Sequence, residues 1–338
     1  MKKNIVYLVM ILFAGVHIGW AQLIPNLGGQ RAGISAFQFL KIGVGARGVA
    51  MGESFVAVAN DASALFWNPA GLADIKENEA IASHTEYIVD ISHEFFGITY
   101  RLGDADVVGA SFSSLHMKDM EITTETQPLG TGRFFSFGDI GVGLTYSRKM
   151  TDQFSFGATV RYAEETLDLL KMRAFMVDLG TMYWTGLGST RFAVTISNFG
   201  SDVKPKGTYM QPSGSTVTEF QAFSLPTVFK LGVAMEAFEN EDSRLTTSIQ
   251  LNHPNDNAEH FRLGAEYGYK NTLFLRGGIK RTIGQKVFGE DETSPEDFTF
   301  GAGFRLDVSG ISCVSADYAF ARYSQLGSVH RFSVSFTY

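Results

Sequence analysis

The sequence has little that would support a disulfide-rich secreted domain, a nucleic-acid partner or a helical membrane protein. Cys313 is the only cysteine in 338 residues, so no internal disulfide can form. The formal charge of −7 argues against nucleic acid, because phosphate binding needs a basic surface. Mean hydropathy is only +0.02, and after residue 21 no apolar run approaches the ~20 residues of a transmembrane helix. Neither disulfides nor transmembrane helices can therefore stabilise the chain after residue 21, and another architecture must do so.

The first 21 residues differ from the rest. Two lysines precede an apolar run from Ile5 to Val16, and a small-residue cleavage site could follow Ala21. This order predicts a secretory signal peptide over residues 1–21. A membrane helix is the alternative, but the run is too short to span a bilayer. An exported chain that crosses a membrane without helices must close into a β-barrel, since unpaired backbone groups are too costly in lipid.

Glycine, aromatic residues and a period-two alternation are what the sequence does contain. It has 36 Gly, 29 Phe and 12 Tyr, and glycine exceeds its usual share of about 7%. Between residues 154 and 162, Phe, Ala, Val and Tyr alternate with Ser, Gly, Thr and Arg. Such alternation predicts half-apolar strands. Fourteen strands are predicted, over residues 79–88, 92–102, 105–115, 137–149, 152–164, 172–185, 189–199, 226–238, 243–253, 259–270, 272–282, 297–308, 311–321 and 329–338.

The lengths of these strands and of their connections favour a transmembrane barrel. Most strands have about ten residues, the length that a tilted strand needs to cross a bilayer. Long connections follow only the odd strands 3, 7 and 11, as when extracellular loops oppose periplasmic turns. Two β-sandwich domains are the alternative, but they would bury the Phe-rich faces. The predicted fold class is therefore all-β, a 14-stranded antiparallel transmembrane β-barrel over residues 79–338.

The residues before the barrel, 22–78, lack this alternation and contain a G-x-G-x-x-G motif at Gly43, Gly45 and Gly48. A dinucleotide site would need a helix after these glycines and an acid about twenty residues further on. Gly52 interrupts such a helix, and Asp61 comes too early. We predict instead that Gly43, Gly45, Gly48 and Gly52 let a compact segment turn tightly against the barrel wall.

Two stretches resemble a known family. Residues 32–73, which include Asp61 and the run Asn68-Pro69-Ala70-Gly71, look like the N-terminal signature of the PorV/PorQ family. That family is related to the FadL-type outer-membrane barrels, whose hatch carries a similar Asn-Pro-Ala. Residues 317–338 are similar to the closing hairpin of these proteins. The resemblance implies a barrel surrounded by the lipid of a Gram-negative outer membrane, with residues 22–78 as a plug, or hatch.

The role of the Asn-Pro-Ala-Gly motif stays open at this point. Asp61 and Asn68 can cap turns, and Pro69 fixes φ where the chain bends. The motif could therefore be a hinge that gates the lumen or only a rigid turn of the plug. At the other end of the chain, Phe336 and Tyr338 resemble the terminal aromatic signal read by the outer-membrane assembly machinery.

No catalytic or metal-binding motif is apparent. The histidines lack the spacing of a zinc site, no G-x-S-x-G occurs, and Glu164-Glu165 is interpreted as a solvated loop pair. We predict no enzyme activity, no cofactor and no metal. Binding is expected on the long loops, at Tyr209, Phe220 and Phe223 of loop 200–225 and on the acidic loop 283–296. A simple lid is the alternative for these loops.

Two functional hypotheses follow. By resemblance, a PorV/PorQ-like barrel serves type IX protein secretion by binding or tethering exported cargo, together with secretion-system components, at the cell surface. The alternative is a FadL-like passive transporter of long-chain fatty acids or other hydrophobic molecules. A bulged strand beside the plug would favour transport, whereas a blocked lumen with grooved loops would favour protein binding.

Overall fold

The computed structural model describes residues 33–210, 215–282, 298–308, 311–323 and 327–338. The predicted signal peptide, the start of the predicted plug and the acidic loop 283–296 lie outside the described residues. Within the described ranges, fourteen strands form one closed antiparallel barrel. They are β1 Glu79–Glu86, β2 Ser92–Arg101, β3 Asp106–His116, β4 Phe137–Lys149, β5 Phe154–Leu167, β6 Leu170–Trp184, β7 Arg191–Phe199, β8 Val228–Glu239, β9 Ser243–Pro254, β10 His260–Tyr269, β11 Leu273–Thr282, β12 Phe298–Val308, β13 Ile311–Arg322 and β14 Ser328–Thr337.

The barrel closes by pairing its first and last strands. On β1, Ala82 lies opposite both Phe96 of β2 and Val334 of β14. The predicted fold class is confirmed. The largest difference in strand ends is on β5, which continues three residues past its predicted end at Glu164 to Leu167, so the pair Glu164-Glu165 lies wholly in a strand and not in a loop.

The Phe-rich faces point out of the barrel, and the small or polar faces point into it. On β6, Phe175 is 71% exposed and Leu179 is also exposed, while Met176 and Asp178 between them are buried. This alternation of lipid-facing and lumen-facing side chains is typical of transmembrane barrels. Because the phenylalanines are not enclosed between two sheets, the sandwich alternative is excluded.

The two ends of the barrel differ in their connections. Residues 117–136 follow β3 and residues 200–227 follow β7, and we name the end that carries them the outer end. Two short hairpins extend these connections: Met120–Glu121 pairs with Phe134–Phe135, and Tyr209–Met210 pairs with Thr216–Val217. The opposite end, named the inner end, carries short turns.

Residues 33–78, named here the N-terminal segment, pack against the lumen-facing side of β3–β6 and β11–β14. Short helices at Gln38–Lys41, Ala46–Ala50, Ala64–Trp67 and Pro69–Asp74 alternate with turns. Phe55, Leu65 and Trp67 belong to a buried apolar cluster that includes lumen-facing wall residues. Among the described residues, no helix is both long and apolar enough to cross a membrane.

Candidate functional site

The N-terminal segment enters the barrel from the outer end. The Phe37 amide donates to the Glu165 carboxylate at the outer end of β5 (2.6 Å), and Lys41 forms an ion pair with Asp256 after β9 (2.8 Å). Further along the chain, Asp74 accepts a hydrogen bond from Trp184 at the inner end of β6 (3.1 Å). The segment therefore runs through the lumen from one end of the barrel to the other.

Glycines in the strands form the contact between the wall and this segment. A Cβ on Gly157 or Gly180 would collide with residues 68–70, and a Cβ on Gly278 or Gly301 would collide with residues 50–52. Because these positions carry no side chain, the backbone of the segment can lie directly against the backbone of the strands. The wall is therefore shaped for the segment at two places.

Asn68 and Pro69 occupy the first of these places. The fully buried Asn68 side chain accepts a hydrogen bond from the Ala70 amide (3.0 Å) and donates to the carbonyl oxygens of Val56 (2.8 Å) and Thr181 (3.3 Å). It thus caps the helix Pro69–Asp74 and ties it to another turn and to β6. Pro69 begins that helix, where its missing N–H costs nothing.

The glycines of the G-x-G-x-x-G motif lie in close packing contacts. Gly45 has φ 71 and precedes Ala46–Ala50, a helix of only five residues rather than the long helix of a dinucleotide site. A Cβ on Gly43 would lie 2.6 Å from the Glu53 carboxylate, and one on Gly48 would lie 2.8 Å from the Trp67 indole nitrogen. Neither position has room for a side chain.

Gly52 and Gly71 mark two further close approaches. Gly52 has φ 64, and a Cβ there would lie 2.8 Å from the Ile279 backbone nitrogen on β11. Gly71 faces the Ala59 carbonyl oxygen so closely that an added Cβ would overlap it. Both glycines therefore lie where L side chains would force the backbone to move.

An ion network lies beside the second place of contact, where residues 50–52 meet Gly278 and Gly301 of the wall. The Arg47 guanidinium binds the Glu266 carboxylate through two nitrogens (2.8 and 2.9 Å) and Asp61 through a third (2.7 Å). Glu266 also accepts from Arg276 (2.6 Å), which in turn binds Asp317 (2.6 Å). We name these five residues the Arg47 network. It joins the N-terminal segment to β10, β11 and β13, and its pairing compensates charges that would be costly to bury alone.

Glu53 makes a second buried ionic contact, on the outer side of the segment. Its carboxylate pairs with Arg262 of β10, and both side chains are almost fully buried. Burial disfavours the charged carboxylate, but the positive charges of Arg262 and Lys280 outweigh it and lower the pKa of Glu53.

Beside Asn68, the hydrogen-bond ladder between β6 and β7 is interrupted. The register shifts so that two residues of β7 stand opposite Asp178 of β6. One of them, Asn198, has φ 59, and its amide donates to the Asp178 carboxylate (2.6 Å). Asp178 also pairs with Arg161 (2.6 Å). A side-chain network thus closes the wall where the backbone ladder does not.

Two cavities flank the N-terminal segment. The inner one, of about 580 Å³, is lined by charges of both signs, including Arg47, Asp61, Arg305 and Asp317. The outer one, of about 130 Å³, lies between the segment and β8–β11. Asn68 lines neither cavity. The inner cavity is polar, so it is suited to water and ions rather than to an apolar solute.

The outer loops present apolar side chains to solvent. Leu129 is 97% exposed and Phe134 is 59% exposed on the connection after β3, and Met210 is 70% exposed on the connection after β7. Of the predicted loop residues, Tyr209 is half exposed. Phe220 is only partly exposed.

Phe223 differs from the other predicted loop residues. It packs against the apolar cluster formed by Phe37, Phe39 and wall residues at the outer end, and its amide pairs with the Val203 carbonyl (2.8 Å). Phe223 therefore helps to hold the loop on the N-terminal segment.

The remaining candidates occupy separate parts of the barrel. Phe336 and Tyr338 face outward near the inner end, with ring centres 6.0 Å apart. His253 contacts Glu259 (3.1 Å) and His260 contacts Thr282 (3.1 Å). Among the described residues, no group of three or more His, Cys, Asp or Glu is placed to hold a metal ion.

Sequence reasoning missed most of the Arg47 network. The sequence pattern did not single out Glu266 or Arg276, although a carboxylate and a guanidinium at lumen-facing positions of alternating strands could have suggested a buried pair. Nothing local in the sequence indicates that Arg47, 219 positions away from Glu266, completes it.

Solved structures resemble this chain in fold. The CymD monoaromatic hydrocarbon channel is 14% identical, with a TM-score of 0.57 over 90% of this chain and 99% of its own. The Pseudomonas putida toluene transporter TodX is 15% identical, with a TM-score of 0.59 over 87% and 98% of the two chains. A Pseudomonas aeruginosa FadL homologue is 14% identical, with a TM-score of 0.53 over 87% and 97%. At these identities the likeness establishes the FadL-type barrel fold and no more.

A comparison with curated proteins gave no match. The sequence profile described as "Type IX secretion system protein PorV" matches residues 27–254, about two thirds of the chain. The match spans the N-terminal segment and β1–β9, which include the Asn68 motif, the wall glycines of β5 and β6, and the interrupted ladder. This outer-membrane barrel therefore belongs to the PorV family of type IX secretion system proteins.

Proposed function

We propose that this protein binds exported cargo at the outer end of a plugged outer-membrane barrel, as part of type IX secretion. The N-terminal segment is the plug in this proposal, and Asp61, the run Asn68–Gly71 and the motif glycines hold it closed. The observation that carries the proposal is a filled lumen combined with exposed apolar side chains on outer hairpins. The family and the structural relatives are secretion and transport proteins, which supports a role without catalysis.

The filled lumen limits where a protein partner could bind. Phe55, Leu65 and Trp67 are buried among wall residues, so the described part of the N-terminal segment occupies space that a polypeptide crossing the lumen would need. A partner outside the cell would therefore meet the outer loops first. Leu129, Phe134 and Met210 there are exposed to solvent, and exposed apolar side chains that lie together on an outer surface can bind a protein partner.

Site-specific photo-crosslinking tests this proposal in a strain that secretes through the type IX system. A photoreactive amino acid at position 129 or 210 should trap an exported protein, whereas the same amino acid at position 144 should not. Leu144 is a matched control because it is 66% exposed but lies in the middle of β4, where it faces lipid. If secretion proceeds normally and no exported protein is trapped from either loop, cargo binding at these loops is wrong.

Passive transport of hydrophobic molecules is the second candidate, and the interrupted ladder beside Asn68 favours it. A break in strand pairing next to a plug is where a solute could leave the lumen through the wall, if the Asp178–Arg161 pair separated. Deletion of the gene would then abolish uptake of a labelled long-chain fatty acid while type IX secretion continues. The opposite result, lost secretion with normal uptake, would favour cargo binding.

A further inference from the structure

The outer cavity of about 130 Å³ has a charge distribution that the proposed functions do not use. Basic side chains reach it from both the wall and the N-terminal segment: Lys230 of β8, Arg262 of β10, Lys280 of β11 and Lys41 of the segment. Glu53, Phe66 and Trp67 of the segment also line it, as do the amides of Asn198, Asn252 and Asn257. The cavity thus combines basic and amide groups of the wall with two aromatic rings of the segment.

Lys230 has no carboxylate partner among the described residues. Its side chain is only 8% exposed, and its ammonium lies 5.7 Å from the ring centre of Phe66 and 6.0 Å from that of Trp67. Cation–π contacts of this kind are weaker than an ion pair and leave the N–H donors of an ammonium without acceptors. The lumen therefore holds a nearly buried cation whose donors are open to a ligand in the cavity.

Arg331 is a second cation without a partner in the part of the chain that the structure describes. It lies on the lumen face of β14, is 1% exposed, and none of its three guanidinium nitrogens makes a hydrogen bond. Its register neighbour on β1, Thr85, also has a buried hydroxyl without a partner. Buried donors are normally bonded, so each such group calls for an acceptor that the described part of the chain does not supply.

The carboxylates on this side of the lumen are already engaged. Glu53 is paired with Arg262, Asp178 with Arg161, and Asp256 with Lys41. Arg331 and Lys230 both lie within the electrostatic reach of Glu53, and Asp178 also acts on Lys230. Since Glu53 is paired with Arg262 and Asp178 with Arg161, Lys230 and Arg331 are left without a carboxylate of their own among the described residues, and their positive charge favours an anion nearby.

We propose that the outer cavity binds an oxyanion, either a carboxylate or a phosphate group, with Lys230 and Arg262 as its direct ligands and Arg331 adding to the positive potential. A volume of about 130 Å³ corresponds to roughly four water molecules, which is room for such a group and little more. Any longer ligand must extend along Phe66 and Trp67. The inference does not depend on cargo binding at the outer loops.

Isothermal titration of the full-length protein in a non-ionic detergent tests the site. Inorganic phosphate, acetate and octanoate serve as probes, and at least one should bind with an affinity that falls as salt increases. Tighter binding of octanoate than of acetate would identify an amphiphilic carboxylate that uses the two aromatic rings. Binding of phosphate alone would identify a phosphoryl group.

Two lysine variants make the test specific. Lys230→Met keeps the length of the side chain and should weaken binding at least tenfold, whereas Lys118→Met, at an exposed lysine of an outer loop, should leave it unchanged. Folding of each variant is checked by its mobility in unboiled electrophoresis. If Lys230→Met does not fold, a change in Trp67 fluorescence on titration of the Trp20→Phe/Trp184→Phe protein provides the same test, because Trp67 is then its only tryptophan and lines the cavity.

The proposal is wrong if none of the three probes binds at millimolar concentration. It is equally wrong if a folded Lys230→Met protein binds them as tightly as the parent does. Failure of the loop crosslinking experiment would leave this result unaffected, so the two proposals can be refuted separately.

Discussion

Adding one methyl group to the wall at Gly278 should release the N-terminal segment without damaging the barrel. A Cβ at this position would overlap the Gly52 nitrogen and the Met51 carbonyl carbon, and would lie only 2.5 Å from the Gly52 Cα. Since ordinary contacts of this kind are longer, the segment would have to move away from β11. Gly277, the next residue on the same strand, points outward, and a Cβ there would have 3.8 Å to its nearest neighbour.

The free-energy cost of Gly278→Ala follows from the contacts that this movement of the segment would disturb. Overpacking of this kind costs about 1–3 kcal/mol. The Gly52 amide also donates to the Thr299 hydroxyl (2.9 Å), which donates to the Ala50 carbonyl (2.9 Å). Loss of these two hydrogen bonds adds about 1 kcal/mol each. At about 1.4 kcal/mol for each tenfold change, a total of about 3–5 kcal/mol lowers the equilibrium constant for the seated segment at least a hundredfold.

Trypsin cleavage after Arg47 measures this equilibrium. Arg47 is held in the lumen by Glu266 and Asp61, so cleavage requires the segment to leave its place. When opening is fast relative to cleavage, the rate reports the open population. We expect Gly278→Ala to be cut at least a hundred times faster than the parent protein and Gly277→Ala to be cut at the parent rate. Equal rates for the two variants would refute the packing argument.

Three further predictions concern the polar contacts. Arg47→Met should destabilise the seated segment by about 2–3 kcal/mol, less than the about 3–5 kcal/mol of a fully broken buried pair because Glu266 keeps Arg276. A double-mutant cycle with Glu266→Gln should show coupling, and strict additivity would contradict it; because the variant has no trypsin site at position 47, this cycle is read by chymotrypsin cleavage after the buried Phe55. Asn68→Ala should cost about 1–2 kcal/mol through loss of the helix cap, with faster trypsin cleavage and an unchanged barrel melting temperature. Asp178→Ala should lower the unfolding temperature of the barrel itself, because Arg161 is left buried and unpaired, and no shift would mean that water replaces the carboxylate.

The strands were predictable because their signal is local. Alternation with a period of two depends only on neighbours along the chain, so the faces of strands such as β6 could be assigned before any contact was known. The parity of long and short connections is also local, and it placed the loops after β3 and β7 at one end. The Asn68 cap was accessible for the same reason, since its partner Ala70 is two residues away.

The contacts inside the lumen, between the N-terminal segment and the wall and between distant wall residues, were not predictable in this way. Nothing near Gly278 shows that Gly52 will lie against it, and nothing near Asp178 shows that a shifted register will bring the Asn198 amide to its carboxylate. These contacts depend on the stagger of strands around the closed barrel and on the path of residues 33–78 through it. Phe223 illustrates the difference: its sequence position indicated an exposed loop, but the chain folds that loop back onto Phe37.

By itself, the sequence determined that this chain forms a lipid-facing barrel of fourteen strands, because apolar residues that face lipid alternate with small or polar residues that face the lumen. Only the tertiary structure decided which charges face each other inside the lumen, since that depends on closure of the sheet across more than two hundred residues. The meeting of Glu53 with Lys230, Arg262 and Arg331 from three different strands is therefore a property of the closed barrel.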